Sequence, residues 1–281
     1  MDQRQVLPTS NASSIEPNSP LRNHGNFPSW TSGFREDILA SHADIPVCLC
    51  SLVSGLCDSV TFNASAVFAS MQTGNTIFLA LGAAGLPSNV PYMWLRALCS
   101  IVAFQLGVFC FARTRHFRPK SKGTLGASFL LQALIIWIAA ALSQGGAVPA
   151  FRWLDVAEDL HHQQSMDFSI LGPIILLAFQ FGGQIVCSRQ LGFNEVPTNV
   201  LTSVYCDIFS DPNLWASWGA NPKRNRRIST VILMLVGGVI GALLSRTGAG
   251  MSSALWISGG VKFGIAMAWF GWKSGSSTSK H

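Results

Sequence analysis

The sequence predicts an all-α membrane protein with six full transmembrane helices, two short helices that start on polar residues, and an internal repeat of two halves. Three observations carry that prediction. Hydrophobic residues make up 49% of the chain against 11% charged ones, and mean hydropathy is +0.35. The apolar residues gather into blocks of membrane-spanning length instead of alternating with polar ones. The positive charges sit beside these blocks, where they set topology.

By hydropathy the blocks are residues 46–69, 73–86, 93–112, 125–142, 169–188, 198–209, 228–245 and 253–272. At about 1.5 Å per residue, 73–86 reaches only about 21 Å and 198–209 about 18 Å, against a hydrocarbon core of about 30 Å. Both are therefore read as re-entrant half-helices. Charge placement agrees. Arg113, Arg115, Arg118, Lys120 and Lys122 follow one block, and Lys223, Arg224, Arg226 and Arg227 precede another. Both clusters lie on the cytoplasmic side only if 198–209 turns back on itself. The same logic for 73–86 leaves six crossings and both termini cytoplasmic. If both short segments crossed, the count would be eight and the repeat parallel instead of inverted.

Each half then reads as one spanning helix, a short polar-started segment and two more spanning helices. Gly55 and Asp58 precede Met71-Gln72-Thr73-Gly74-Asn75 in the first half, and Gly183 and Gln184 precede the run 198–203 in the second. The polar domain boundaries follow. Residues 1–45 are rich in Ser, Pro and Asn and read as a disordered cytoplasmic tail, 46–272 as the polytopic membrane domain, and 273–281 as a short C-terminal tail. No secretory signal precedes residue 46, so the first helix serves as its own insertion signal. A glycosylation sequon at Asn11 has meaning only on a lumenal tail.

A carboxylate or amide at membrane depth is costly unless it faces a protein interior or a cavity, so such residues are candidates for function. Asp58 and the run Gln72, Thr73, Gly74, Asn75 stand first among them. Thr73 is placed to cap a helix beginning at Gly74, whose free N–H groups would suit a carboxylate or another polar group of a substrate. Asp58 would act as a proton or cation site. Gln180 and Gln184 are four apart on one helix face and would line the same cavity, closed from the second half by Thr198, Asn199 and Thr202. The plainer alternative is that Asp58 hydrogen-bonds the backbone of the Thr73 turn and the glutamines join helices. Asn63, Gln105 and Gln132 are read as packing contacts.

The Gly-x-x-Asp at Gly55–Asp58, the stretch F-A-S-M-Q-T-G-N-T-I-F-L-A-L-G from Phe68 to Gly82, and T-N-V-L-T-S-V-Y-C-D from Thr198 to Asp207 with Asp211-Pro212 after it resemble the YoaK-like family of bacterial and fungal membrane proteins of unknown function. The second stretch is similar to fungal members. The resemblance covers residues 43–272. Bacterial members tend to carry Thr-Gly where this chain has Thr202-Ser203. The resemblance implies a fold and a membrane location, and no activity.

Small residues recur on the last two blocks. Gly237, Gly241 and Ser245 form one stripe, and Gly260, Gly264 and Ala268 the other. They are expected to pack these consecutive helices against each other, with a homo-oligomer seam as the alternative. The seven cysteines lie in apolar segments or at their ends and imply no disulfide framework and no metal site. Asp155, Asp159 and His162 fall at helical spacing, a pattern read as a solvated amphipathic surface helix and not as a metal centre. No cofactor is expected. Neither a nucleophile elbow, nor a zinc-protease motif, nor a phosphate loop is present, so catalysis is not the leading reading. The net charge of +6 lies beside membrane segments and carries no nucleic-acid motif. The expected partners are the bilayer and a small-molecule substrate. A transporter or permease is the leading function, ahead of an accessory protein or enzyme of a lipid or secondary-metabolite pathway and of a scaffold. Plasma and internal membranes are not distinguished.

Overall fold

Eight α-helices follow the predicted order of long and short segments in the computed structural model, which describes residues 33–88, 90, 92–145, 147–148, 168–247 and 250–275. They are α1 (Asp44–Ser65), α2 (Gln72–Ala83), α3 (Met93–Ala112), α4 (Lys122–Gln144), α5 (Leu171–Leu191), α6 (Thr202–Phe209), α7 (Pro222–Ser245) and α8 (Gly250–Phe270). Residues 1–32, the acidic stretch with Asp155, Asp159 and His162, and residues 276–281 lie outside the described residues.

Local chemistry explains the helix ends. Ala66 takes a left-handed conformation (φ 60°) and returns its N–H to the Phe62 carbonyl, which stops α1. Gly192 at φ 89° ends α5 in the same way. Ser121 accepts from the Thr124 N–H to start α4, and Asn221 accepts from the Arg224 N–H, with Pro222 first in α7. The start of α6 differs from the sequence reading. Residues 198–201 are loop, because Thr198 sits at φ 62°, outside the helical region.

Among the described residues, five helical segments are long and apolar enough to cross a membrane: Asp44–Ser65, Met93–Phe117, Lys122–Gln144, Phe168–Leu191 and Pro222–Ser245. The chain is an integral, multi-pass membrane protein. Helix α8 matches them in length but carries Lys262 in its middle.

The helices pair α1 with α7, α3 with α5 and α4 with α8, and α2 and α6 lean on α3 and α7. Helix α1 is the most enclosed, 72% of its apolar window being buried against 33% for α3 and 28% for α7, so these two outer helices offer most surface to lipid. Two of the pairs touch backbone to backbone at glycines. A Cβ on Gly55 would lie 2.1 Å from the Met234 carbonyl oxygen, and one on Gly237 2.2 Å from that of Leu52. At the α3–α5 crossing a Cβ on Gly107 would lie 2.0 Å from the Phe179 oxygen, and one on Gly182 2.4 Å from that of Phe104.

These contacts correct the expected packing of the last two helices. Gly237 and Gly241 pack on α1, not on α8, while a Cβ on Gly260 or Gly264 would meet nothing within 4 Å. The stripe on α8 faces outward, and its packed neighbour is Gly259, against Trp137. Four-residue spacing identifies a face but not the helix opposite it.

One end of the bundle is tied together by polar contacts. Residues 33–43, expected within the free tail, form a strap. The Ile38 N–H donates to the Lys120 carbonyl at 3.0 Å, the Leu39 N–H to that of Lys273 at 2.9 Å, and the Trp272 indole to the Leu39 carbonyl at 3.0 Å. Arg226 bridges Asp44 at 2.8 Å and Glu195 at 2.9 Å, and Thr114 donates to Gln190 at 3.1 Å. The N-terminal ends of α1, α4 and α7 and the C-terminal ends of α3, α5 and α8 thus meet.

Candidate functional site

Asp58 lies about two turns before the end of α1 and is buried. Its Oδ1 accepts from the N–H groups of Ala69 at 2.9 Å and Ser70 at 2.8 Å, and its Oδ2 from the Ser70 hydroxyl at 2.5 Å. The carboxylate therefore holds the loop 66–71 that leads into α2, satisfying donors that would otherwise be bare inside the protein. Asn75 completes the clamp from the other side. Its Oδ1 accepts from the Phe68 N–H at 3.0 Å while its Nδ2 donates to the Phe68 carbonyl at 2.7 Å. Gln72 donates to the Ala69 carbonyl at 2.9 Å, and Ser100 on α3 donates to that of Phe68 at 2.8 Å.

Thr73 does not cap this helix. Met71 occupies the N-cap position without a side-chain bond, α2 begins at Gln72, and Thr73 is exposed. Gly74 has a specific reason: a Cβ there would lie 3.0 Å from the Phe68 ring. Arg96 on α3, which does not stand out in the sequence, is buried and donates to the Ser65 carbonyl at 3.2 Å, at the negative end of the α1 dipole.

Between α1 and α7 lies a groove of about 540 Å³. Asp58, Phe62 and Asn63 line it from α1, and Gly238 from α7. Phe68 and Met71 reach it from the loop before α2, and Leu201 and Tyr205 from the start of α6. The two polar-started segments thus share one cavity wall. Gln180 and Gln184 do not line it. Gln184 instead donates to the Cys50 carbonyl at 3.3 Å and the Ser54 hydroxyl at 2.9 Å, one to two turns before Asp58 on α1.

In the loop before α6 the polar side chains are less engaged. Thr198 and Asn199 are buried, but neither the Thr198 hydroxyl nor either amide atom of Asn199 has a hydrogen-bond partner, and the same holds for both amide atoms of Gln180. Thr202 is exposed at the start of α6. The side chain that ties this loop to α5 is Ser188, which donates to the carbonyls of Phe193 at 3.0 Å and Val196 at 2.5 Å. Ser188 stands fourteen residues before the first residue of α6, as Asp58 does before that of α2. Beyond the membrane segments, Asn221 donates to Asp211 at 2.9 Å and, with the Asn213 N–H, holds its carboxyl below the usual carboxylate range.

The family model described as "Protein of unknown function (DUF1275)" matches residues 47–268. The chain belongs to this family. The matched span runs from the first turn of α1 into the last turn of α8, so the groove, both loops and every candidate residue fall within it. No curated protein and no solved structure matches the chain. Among the described residues no group of three or more His, Cys, Asp or Glu could hold a metal ion.

Proposed function

We propose that this protein is a transporter or permease of a small molecule or ion, with six crossings in two inverted halves and a polar site between them. The observation that carries the reading is the groove at the α1–α7 crossing. It has the volume of a small-ligand site, Asp58 is in its wall, and both half-helix segments open onto it. Largely apolar walls with one acidic group favour a small solute with an apolar body and a polar or cationic end.

The pairing of the helices supports two related halves. Exchanging α1 with α5, α2 with α6, α3 with α7 and α4 with α8 turns the α1–α7 contact into the α5–α3 contact and leaves α4–α8 unchanged. Both exchanged crossings are made by glycines. The polar end of the bundle supports six crossings with α2 and α6 re-entrant, since it gathers Arg118, Lys122, Arg226 and Arg227 at one side, cytoplasmic by charge, together with the segment before α1 and the residues just after α8. The motifs around Asn75 and Thr202 support a fungal-type member of the YoaK-like family. A scaffold role is the second reading, favoured by the engagement of both Asp58 oxygens with the loop.

Gly238 provides the test, because a Cβ there meets nothing within 4 Å while the residue lines the groove. Gly238→Leu fills the cavity and leaves the helix crossing intact. Untargeted profiling of metabolites inside and outside cells producing the wild type should show at least one solute redistributed relative to cells without the protein. That redistribution should revert in Gly238→Leu at equal membrane abundance. A variant profile identical to wild type would sink the groove as a path.

A further inference from the structure

We infer that a second groove, between α3 and α5, binds an anionic glycerophospholipid, with its phosphate on Arg115 and Arg189 and one acyl chain along the apolar wall. The groove holds about 450 Å³. Phe104, Val108 and Ala112 line it from α3, and Ile185 from α5. Arg115, in the 3-10 turn Arg113–Phe117 that follows α3, and Arg189, in the last turn of α5, complete the lining where these two helices end. At about 1.5 Å per residue the wall from Phe104 to Arg115 extends about 16 Å, against about 15 Å of hydrocarbon in one leaflet. A headgroup on the arginines therefore leaves its chain at the depth where the wall is apolar.

Topology alone calls for basic residues at this end of the bundle, but not for a groove between them. Arg118, Lys122, Arg226 and Arg227 have carboxylate partners there. Among the described residues Arg115 and Arg189 have none: Arg115 donates to the His116 ring at 3.4 Å, and Arg189 Nη1 donates to the Asn194 carbonyl at 2.9 Å and to its Oδ1 at 3.3 Å. Asn194 thus holds Arg189 in place, and its Nε and Nη2 donors have no partner among the described residues. The third polar residue of the lining, Gln190, has its Oε1 engaged by the Thr114 hydroxyl at 3.1 Å and offers its amide N–H groups. Every polar side chain of the groove is therefore a donor, and two are charged. Such a set matches a phosphate, which guanidinium groups bind through paired hydrogen bonds. The lining contains no carboxylate, so a zwitterionic lipid would bring its own cation to a place without a counter-charge. A free phosphate would make no use of the apolar wall.

The test is thermal unfolding of the purified full-length chain in a neutral detergent at constant ionic strength, with dioleoyl phosphatidylglycerol, dioleoyl phosphatidylcholine or glycerol phosphate added. Phosphatidylglycerol should raise the melting temperature by about 3 °C or more at saturation, and the other two by less than about 1 °C. The double variant Arg115→Gln/Arg189→Gln should lose this response. Arg118→Gln removes a charge from the same end of the bundle but outside the groove, and should keep it. Ala112→Trp fills the apolar wall and should weaken the response with both arginines present. Should Ala112→Trp fail to fold, the double variant and Arg118→Gln decide the matter. Gly238→Leu, in the other groove, should respond as the wild type does, which separates this inference from the fate of the transport reading. Equal shifts with phosphatidylcholine or glycerol phosphate, a response that survives the double variant or a folded Ala112→Trp unchanged, or an equal loss in Arg118→Gln overturns the proposal.

Discussion

The loop before α2 and the loop before α6 lead into the two short helices but are built in opposite ways. In the first, Asp58, Gln72, Asn75 and Ser100 hold the backbone of Phe68, Ala69 and Ser70. In the second, Ser188 and Arg189 hold carbonyls of Phe193, Asn194 and Val196, while Thr198 and Asn199 are buried with their side-chain polar atoms unpartnered. Thr198 is also a β-branched residue at φ 62°, a conformation that costs about 1–3 kcal/mol. The difference separates two states of buried polar residues: the first set is bonded to the backbone it surrounds, and the second keeps polar atoms without partners.

The largest effect should come from cutting the first loop loose. Asp58→Ala leaves two backbone donors and a hydroxyl without their acceptor, at about 1–3 kcal/mol for each unsatisfied group, so a loss of at least about 3 kcal/mol is expected. Chemical denaturation in a fixed membrane mimetic would read it. A stability within about 0.5 kcal/mol of wild type would remove Asp58 from the scaffold and leave it wholly to the groove.

The glycines extend the contrast to whole helix faces. Gly237→Leu drives a side chain into the α1 backbone and should cost about 2–3 kcal/mol, whereas Gly264→Leu, on the outward stripe, should change stability by about 0.5 kcal/mol or less. Equal costs would mean that the α8 stripe is also covered, as in a homo-oligomer. Crosslinking would then be the next measurement.

Much of this organisation was legible in the chain. Long and short apolar blocks follow from counting residues against membrane thickness, and Asp58 and Asn75 stand out as polar groups in apolar surroundings. What each polar group touches was not legible, because partners come from other helices. Gln184, expected to share a cavity with Asp58, binds Cys50 and Ser54, one to two turns earlier on α1. Lys262 and Arg96 do not stand out for a related reason: each lies in a block that stays apolar overall, and burial shows only once the helices are packed. The apolar block 198–209 overshoots α6 by four residues at its start because apolar content does not register the positive φ of Thr198.

The smallest expected effect lies outside the membrane, between α6 and α7. The Asp211 carboxyl is held below its ordinary range by the Asn221 amide, so its contribution is fully present above the unfolded value and is lost as pH falls through the lowered folded one. Hydrogen exchange of residues 211–221 should accelerate in that acidic window and not between neutral pH and the ordinary carboxylate range. Asp211→Asn should abolish this pH dependence. Loss of protection already near neutral pH would break the assignment.

The division between a bonded and an unpartnered polar set is tested most directly by comparing Asn75→Ala with Asn199→Ala in the same membrane mimetic. Asn75→Ala gives up both bonds to Phe68 and should destabilise by about 2 kcal/mol. Asn199→Ala removes a buried amide that has no partner, and should be neutral or stabilising by about 1 kcal/mol. Equal destabilisation by the two substitutions would contradict the account.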